Sequence, residues 1–208
     1  MKNLIKLALL ITLGAAFQAQ ATTIVYTNGP ASSTDNTTNI RDVLVSDSFT
    51  ISTPTPLGDV EVVLGTGAGG VPVSVDWSIG TTFFGSDISS GTAASLSNTF
   101  LFKNTVNFDR MYASTFSVST GVLAPGTYYL TLTHGVNSDG SRSVWDINNG
   151  PSMAEVSSSF GTFPTESEAF TIFDGPAPTP DSGSTLGLLS GALLVIFGAH
   201  RFRARQLA

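Results

Sequence analysis

Cysteine is absent from the chain. That excludes disulfides, thiolate metal sites, a cysteine nucleophile and lipid attachment through an N-terminal cysteine. Histidine is almost as scarce, with His134 and His200 alone. No histidine pair stands at zinc-ligand spacing, and any serine–histidine relay in the body of the chain has to pass through His134. No Gly-x-Ser-x-Gly elbow accompanies it, so His134 reads as a polar residue closing a strand. Charge is sparse too, at 12% of residues. Between Thr22 and Pro180, Arg41, Lys103, Arg110 and Arg142 face fourteen acids, a net charge of about −10. An acidic surface of that kind excludes nucleic acid as a partner.

Long apolar runs are lacking except at the two ends. Lys2 and Lys6 precede Leu7–Phe17, and Ala19-Gln20-Ala21 places small residues where a signal peptidase reads them. Residues 1–21 therefore read as a signal peptide, with Ala19 and Ala21 at the cleavage site. Near the other end, Leu186–Ala199 is apolar and stops at His200-Arg201-Phe202-Arg203-Ala204-Arg205. Fourteen residues fall short of the ~20 of a full crossing, and snorkelling arginine stems extend the reach. Basic residues stay on the cytoplasmic side of a span. Arg201, Arg203 and Arg205 thus predict a transmembrane helix over 186–199 with its basic end, 200–205, inside. Residues 22–175 then lie outside, followed by a stiff Pro-rich spacer, 176–180.

Helix signals are also nearly missing from the exported body, whereas strand signals are strong. Val71, Val73, Val75, Trp77 and Ile79 alternate with polar residues over nine positions. Val60, Val62 and Leu64 repeat the pattern, as do Phe49 and Ile51 within 45–53. Further strands are expected over 111–119 and over 127–134, where Tyr128, Leu130 and Leu132 share a face. Gly, Pro, Asn and Asp punctuate the gaps. Seven to nine short strands at this spacing predict an all-β domain, a single jelly-roll-like or immunoglobulin-like β-sandwich.

Chemistry is thin. Glu61, Asp76 and Asp109 are the strand-borne acids from which a glycosidase pair would come. Calcium is served better, by loop oxygens at Asn137 and Asp139, with Asp146 and Asn148 in a second stretch. Sugar sites on sandwiches combine an aromatic face with amides and carboxylates. Trp145, Asp146 and Asn148 are the candidates, with Trp77, Tyr112, Tyr128 and Tyr129 as further aromatics to test. The fourteen phenylalanines, against two tryptophans and four tyrosines, read as core packing.

Pro180-Asp181-Ser182-Gly183, a short apolar helix and an arginine cluster form one arrangement. It resembles the C-terminal sorting region of PEP-CTERM proteins, closest to the variant whose motif is Val-Pro-Asp-Ser-Gly. Thr179 stands here where that variant has Val. The sorting region spans 179–205, its motif 179–185. The resemblance implies a substrate of an exosortase-type membrane transpeptidase, exported in a Gram-negative bacterium. The inner-membrane intermediate would carry a cytoplasmic C-terminus before the protein passes to the cell surface or extracellular matrix. Leu123–Thr133 and Val144–Gly150 are more loosely similar to ectodomain segments of the same family. The expectation is a non-catalytic surface or matrix protein with extracellular polysaccharide as a ligand. The alternatives are an exported carbohydrate-active hydrolase and a permanently anchored type I membrane protein.

Overall fold

The computed structural model describes residues 22–67 and 69–175. The signal peptide, spacer, sorting motif, transmembrane helix and arginine cluster expected above lie outside those residues. Among the described residues no helix is long and apolar enough to cross a membrane.

The described chain is built from strands. In order they are β1 (Ile24–Thr27), β2 (Thr37–Asn39), β3 (Leu44–Ile51), β4 (Thr55–Thr66), β5 (Pro72–Gly80) and β6 (Ser89–Ala93). Next come β7 (Ser97–Lys103), β8 (Arg110–Ser117), β9 (Val122–Leu123), β10 (Gly126–Asn137) and β11 (Ser143–Asn148). The last are β12 (Ala154–Ser158), β13 (Gly161–Thr165), β14 (Ser167–Glu168) and β15 (Phe170–Asp174). They form two antiparallel sheets. One has six strands in the order β13-β12-β3-β10-β5-β6. The other has nine, centred on β4, which carries β15 and β11 along one edge and β8 and β9 along the other.

Period-two alternation decides which side chains meet between the sheets. Val60, Val62 and Leu64 of β4 are fully buried against Phe49 and Ile51 of β3, Ile79 of β5 and Leu130 and Leu132 of β10. Each such side chain contributes roughly 1.5–3 kcal/mol on leaving water. The architecture is sandwich-like, and the five strands expected from alternation are all present. Two details differ. Val71 and Val73 remain 40% and 38% exposed, so the inward row of β5 starts only at Val75. The ladder between β5 and β10 shifts register between Thr133 and Val136, and the inward row loses its cover there. His134 sits at this bulge with φ +49°, so β10 runs past it rather than ending.

The phenylalanines also depart from expectation. Phe49, Phe116 and Phe170 are core residues, while Phe100, Phe108, Phe160 and Phe163 are 49%, 65%, 89% and 51% exposed. Both tryptophans, Tyr112 and Tyr128 are buried instead. Their polar atoms explain how: Tyr128 Oη donates to Ala124 O, Tyr112 Oη to Gly70 O and Trp145 Nε1 to Ala169 O. A buried ring that satisfies its polar atom on a backbone carbonyl incurs no desolvation penalty.

Candidate functional site

The nine-stranded sheet forks at Ala169. Below the fork β4 pairs directly with β11, Leu64 opposite Trp145 and Thr66 opposite Ser143. Above it β14 and β15 enter between them: Ala169 N donates to Asp146 O at 2.8 Å, and Val63 N donates to Ala169 O at 3.1 Å. Trp145 fills the crotch, with its indole N–H on Ala169 O at 3.0 Å and its ring 5.9 Å from that of Phe170. It has no exposed surface and offers no face to a sugar.

Behind the fork lies a network of buried polar groups. Asp47 occupies the inward row of β3 between Val45 and Phe49 and is fully buried. Its Oδ2 accepts from Glu168 N and Asn28 Nδ2, both at 2.8 Å. Asn28 Nδ2 is also within reach of Ser152 Oγ and Ser167 Oγ, each at 2.7 Å. Glu168 Oε1 accepts from Thr38 Oγ1 at 2.6 Å, and Asp146 Oδ2 accepts from Ser32 N at 2.8 Å. Glu168 Oε2 and Asp146 Oδ1 are buried with no protein partner.

Burial sets the protonation of these acids. It pushes Asp146 up to about 7, opposed by the Ser32 N–H and reinforced by the charge of Asp35. It holds Glu168 well above the ordinary carboxyl range despite the Thr38 hydroxyl, and the charges of Asp47, Asp146 and Glu166 add to it. Asp47 is raised by burial too, against the N–H groups it accepts from. The cluster does not frame an ion. Glu168 stands opposite Ile147, on the face of Trp145, whereas Asp146 leaves β11 on the other face. Among the described residues no group of three or more His, Cys, Asp or Glu could hold a metal.

An open cleft of about 630 Å³ adjoins the network. Asn36, Asn148, Asn149, Ser152, Met153 and Glu166 line it. One wall belongs to the β12–β13 hairpin, which also carries the exposed Phe160 and Phe163. Asn148 serves the scaffold more than a ligand: its Nδ2 donates to Asn28 O at 2.7 Å and its Oδ1 accepts from Gly150 N.

The remaining candidates are dispersed. In the β10–β11 hairpin, Asn137 Nδ2 donates to Arg142 O, and Asp139 Oδ1 accepts from Ser141 N at 3.0 Å, an Asx-turn. Hydrogen bonds from Ser141 hold Asp139 below its usual range. Glu61 and Asp76 alternate with core residues on β4 and β5 and so leave the two sheets on opposite outer surfaces. They cannot flank one glycosidic bond. Asp109 is buried against Arg142 at 2.8 Å. Asp76 instead holds the His134 ring at 2.9 Å, and no serine hydroxyl bonds that ring among the described residues.

Asn28, Ser152, Ser167 and Glu168 carried no legible signal in the sequence. Asp47 did: it is the one acid in the row Val45, Asp47, Phe49, Ile51.

Comparison with known families finds a match outside this network. Residues 180–202 match the VPDSG-CTERM motif. The chain carries a CTERM-type sorting signal. The match begins at Pro180, includes the Asp181-Ser182-Gly183 core and runs through the apolar segment into the arginine cluster. A VPDSG-CTERM signal supports export to the cell surface. No curated protein and no solved structure matches the chain.

Proposed function

We propose that this is a non-catalytic component of the cell surface or extracellular matrix, delivered by its VPDSG-CTERM signal. Signal peptidase cuts after Ala21. The apolar segment 186–199 then holds the chain in the inner membrane, with Arg201, Arg203 and Arg205 on the cytoplasmic side. An exosortase-type transpeptidase cuts at Pro180-Asp181-Ser182-Gly183 and passes the chain from Thr22 up to the motif to the outer surface of a Gram-negative bacterium. The match over 180–202 is the observation that carries this reading.

The exported body acts by binding rather than by catalysis, and extracellular polysaccharide is the ligand we assign to it. The separation of Glu61 from Asp76, and the sealing of Asp47 and Glu168 inside the sandwich, support a body without hydrolytic machinery. Exposed Phe160 and Phe163 on the β12–β13 hairpin, which also forms a wall of the cleft lined by Asn36, Asn148 and Asn149, support sugar contact. Replacing Asp181, Ser182 and Gly183 by alanine tests the sorting step. The variant is expected to accumulate in the inner membrane uncleaved, while the parent reaches the surface. Equal surface delivery of both would sink the reading.

A further inference from the structure

The nine-stranded sheet ends at β7, whose outer edge is unpaired among the described residues. An edge strand of this kind is ordinarily polar or guarded. Here it reads Ser-Asn-Thr-Phe-Leu-Phe-Lys, with a bulge at Leu101, and the following turn adds Val106 and Phe108. Phe100, Leu101, Val106 and Phe108 are 49%, 40%, 50% and 65% exposed. Two cations complete the surface. Lys103 and Arg110 stand directly opposite each other in the β7–β8 ladder, where like charges are unfavourable. Lys103 Nζ lies 5.3 Å from the Phe108 ring centre, and Arg110 Cζ lies 5.0 Å from that of Phe100. Arg110 Nε also donates to Tyr112 Oη at 3.1 Å.

No carboxylate pairs with either cation among the described residues; the adjacent Asp109 is buried and committed to Arg142. Two of the four basic residues in an exported region of net charge about −10 thus meet on one aromatic edge without counter-ions. We propose that this edge is the site for an acidic polysaccharide, a polymer of uronate-type sugars, whose carboxylates meet Lys103 and Arg110 and whose apolar ring faces rest on Phe100 and Phe108. Cation–ring pairs of this kind are pre-ordered, which limits the entropy lost on binding. Duplex nucleic acid is a poorer fit. It packs one charge into about 1.7 Å of its axis, so a body of net negative charge repels it more strongly than a polymer with one carboxylate per sugar ring.

The proposal rests on the polysaccharide reading above, and its test separates the two. The full chain in neutral detergent is titrated with polygalacturonate, with the same polymer fully methyl-esterified, with dextran and with a 30-base-pair DNA duplex. Polygalacturonate is expected to bind, to weaken about tenfold or more when esterified, and to weaken with added salt. The Lys103→Gln/Arg110→Gln double variant should lose about tenfold or more, and Phe108→Ser should lose affinity with its fold intact by circular dichroism. Unchanged affinity in the double variant, or equal binding of the esterified polymer, overturns the site. Dextran binding without polygalacturonate binding overturns the site but spares the polysaccharide reading; binding of no polymer ends both. Preference for the duplex overturns it in favour of nucleic acid. Salt-sensitive self-association lost in the double variant overturns it in favour of a second copy of the chain.

Discussion

At the fork, Trp145 and Phe170 are sealed from solvent, whereas along the β7 edge Phe100 and Phe108 stand half or more in water. Both regions belong to the same nine-stranded sheet and both bring aromatic rings together. They differ in what the backbone offers the ring. The sheet splits around Trp145, and the Ala169 carbonyl, which already accepts from Val63 N, also accepts the indole N–H. Among the described residues the β7 edge has no further strand, and Phe100 and Phe108 lie against Arg110, Tyr112 and Lys103 with about half or more of their surface in water. Aromatic residues in this protein are buried where a sheet closes over them and stay exposed where it does not.

The sharpest way to break that comparison is Trp145→Ala. It should cost about 4 kcal/mol in urea unfolding, because the ring and its hydrogen bond leave a cavity at the centre of the fork. A loss under about 1 kcal/mol would mean that the crotch is not a core position. Next is Asp47→Ala, which strips Glu168 N of its acceptor inside the sandwich and should cost roughly 2–3 kcal/mol.

Smaller still is the effect of pH. Asp146, Glu168 and Asp47 all hold protons more tightly folded than unfolded, so the native state binds more protons and stability falls as pH rises. For Asp146 the loss runs from the ordinary carboxyl range up to about 7. The midpoint of thermal unfolding should be at least about 3 °C lower at pH 8 than at pH 5, with Asp146→Asn narrowing the gap. A midpoint that rises over this interval would contradict the burial of these acids. At the far end, Phe108→Ser should alter stability by no more than about 0.5 kcal/mol. A large loss there would show the edge to be core after all.

Where a strand has one buried and one wet face, its pattern is plain in the sequence. Val60, Val62 and Leu64, or Tyr128, Leu130 and Leu132, announce their strands and their inward faces. The short strands do not. β2, β9 and β14 have two or three residues each, too few for a period to register. Trp145, Asp146 and Asn148 read as polar, half-exposed neighbours because sequence shows the order Trp-Asp-Ile-Asn and not the loop 28–36 that covers it. Asn28 and Ser32 come from that loop, more than a hundred residues away. Phenylalanine was misleading for the opposite reason: hydrophobicity alone assigns it to the core, and only the sheet's edge exposes it.

The sorting signal, by contrast, is legible as a run of consecutive residues, Pro180-Asp181-Ser182-Gly183, an apolar segment and an arginine cluster, and residues 180–202 match the VPDSG-CTERM motif. Intact-mass and terminal peptide mapping of the surface-exposed protein tests processing at that motif most directly. The expected surface form begins at Thr22 and ends between Pro180 and Thr185. A surface form that still carries Arg201, Arg203 and Arg205 would contradict it.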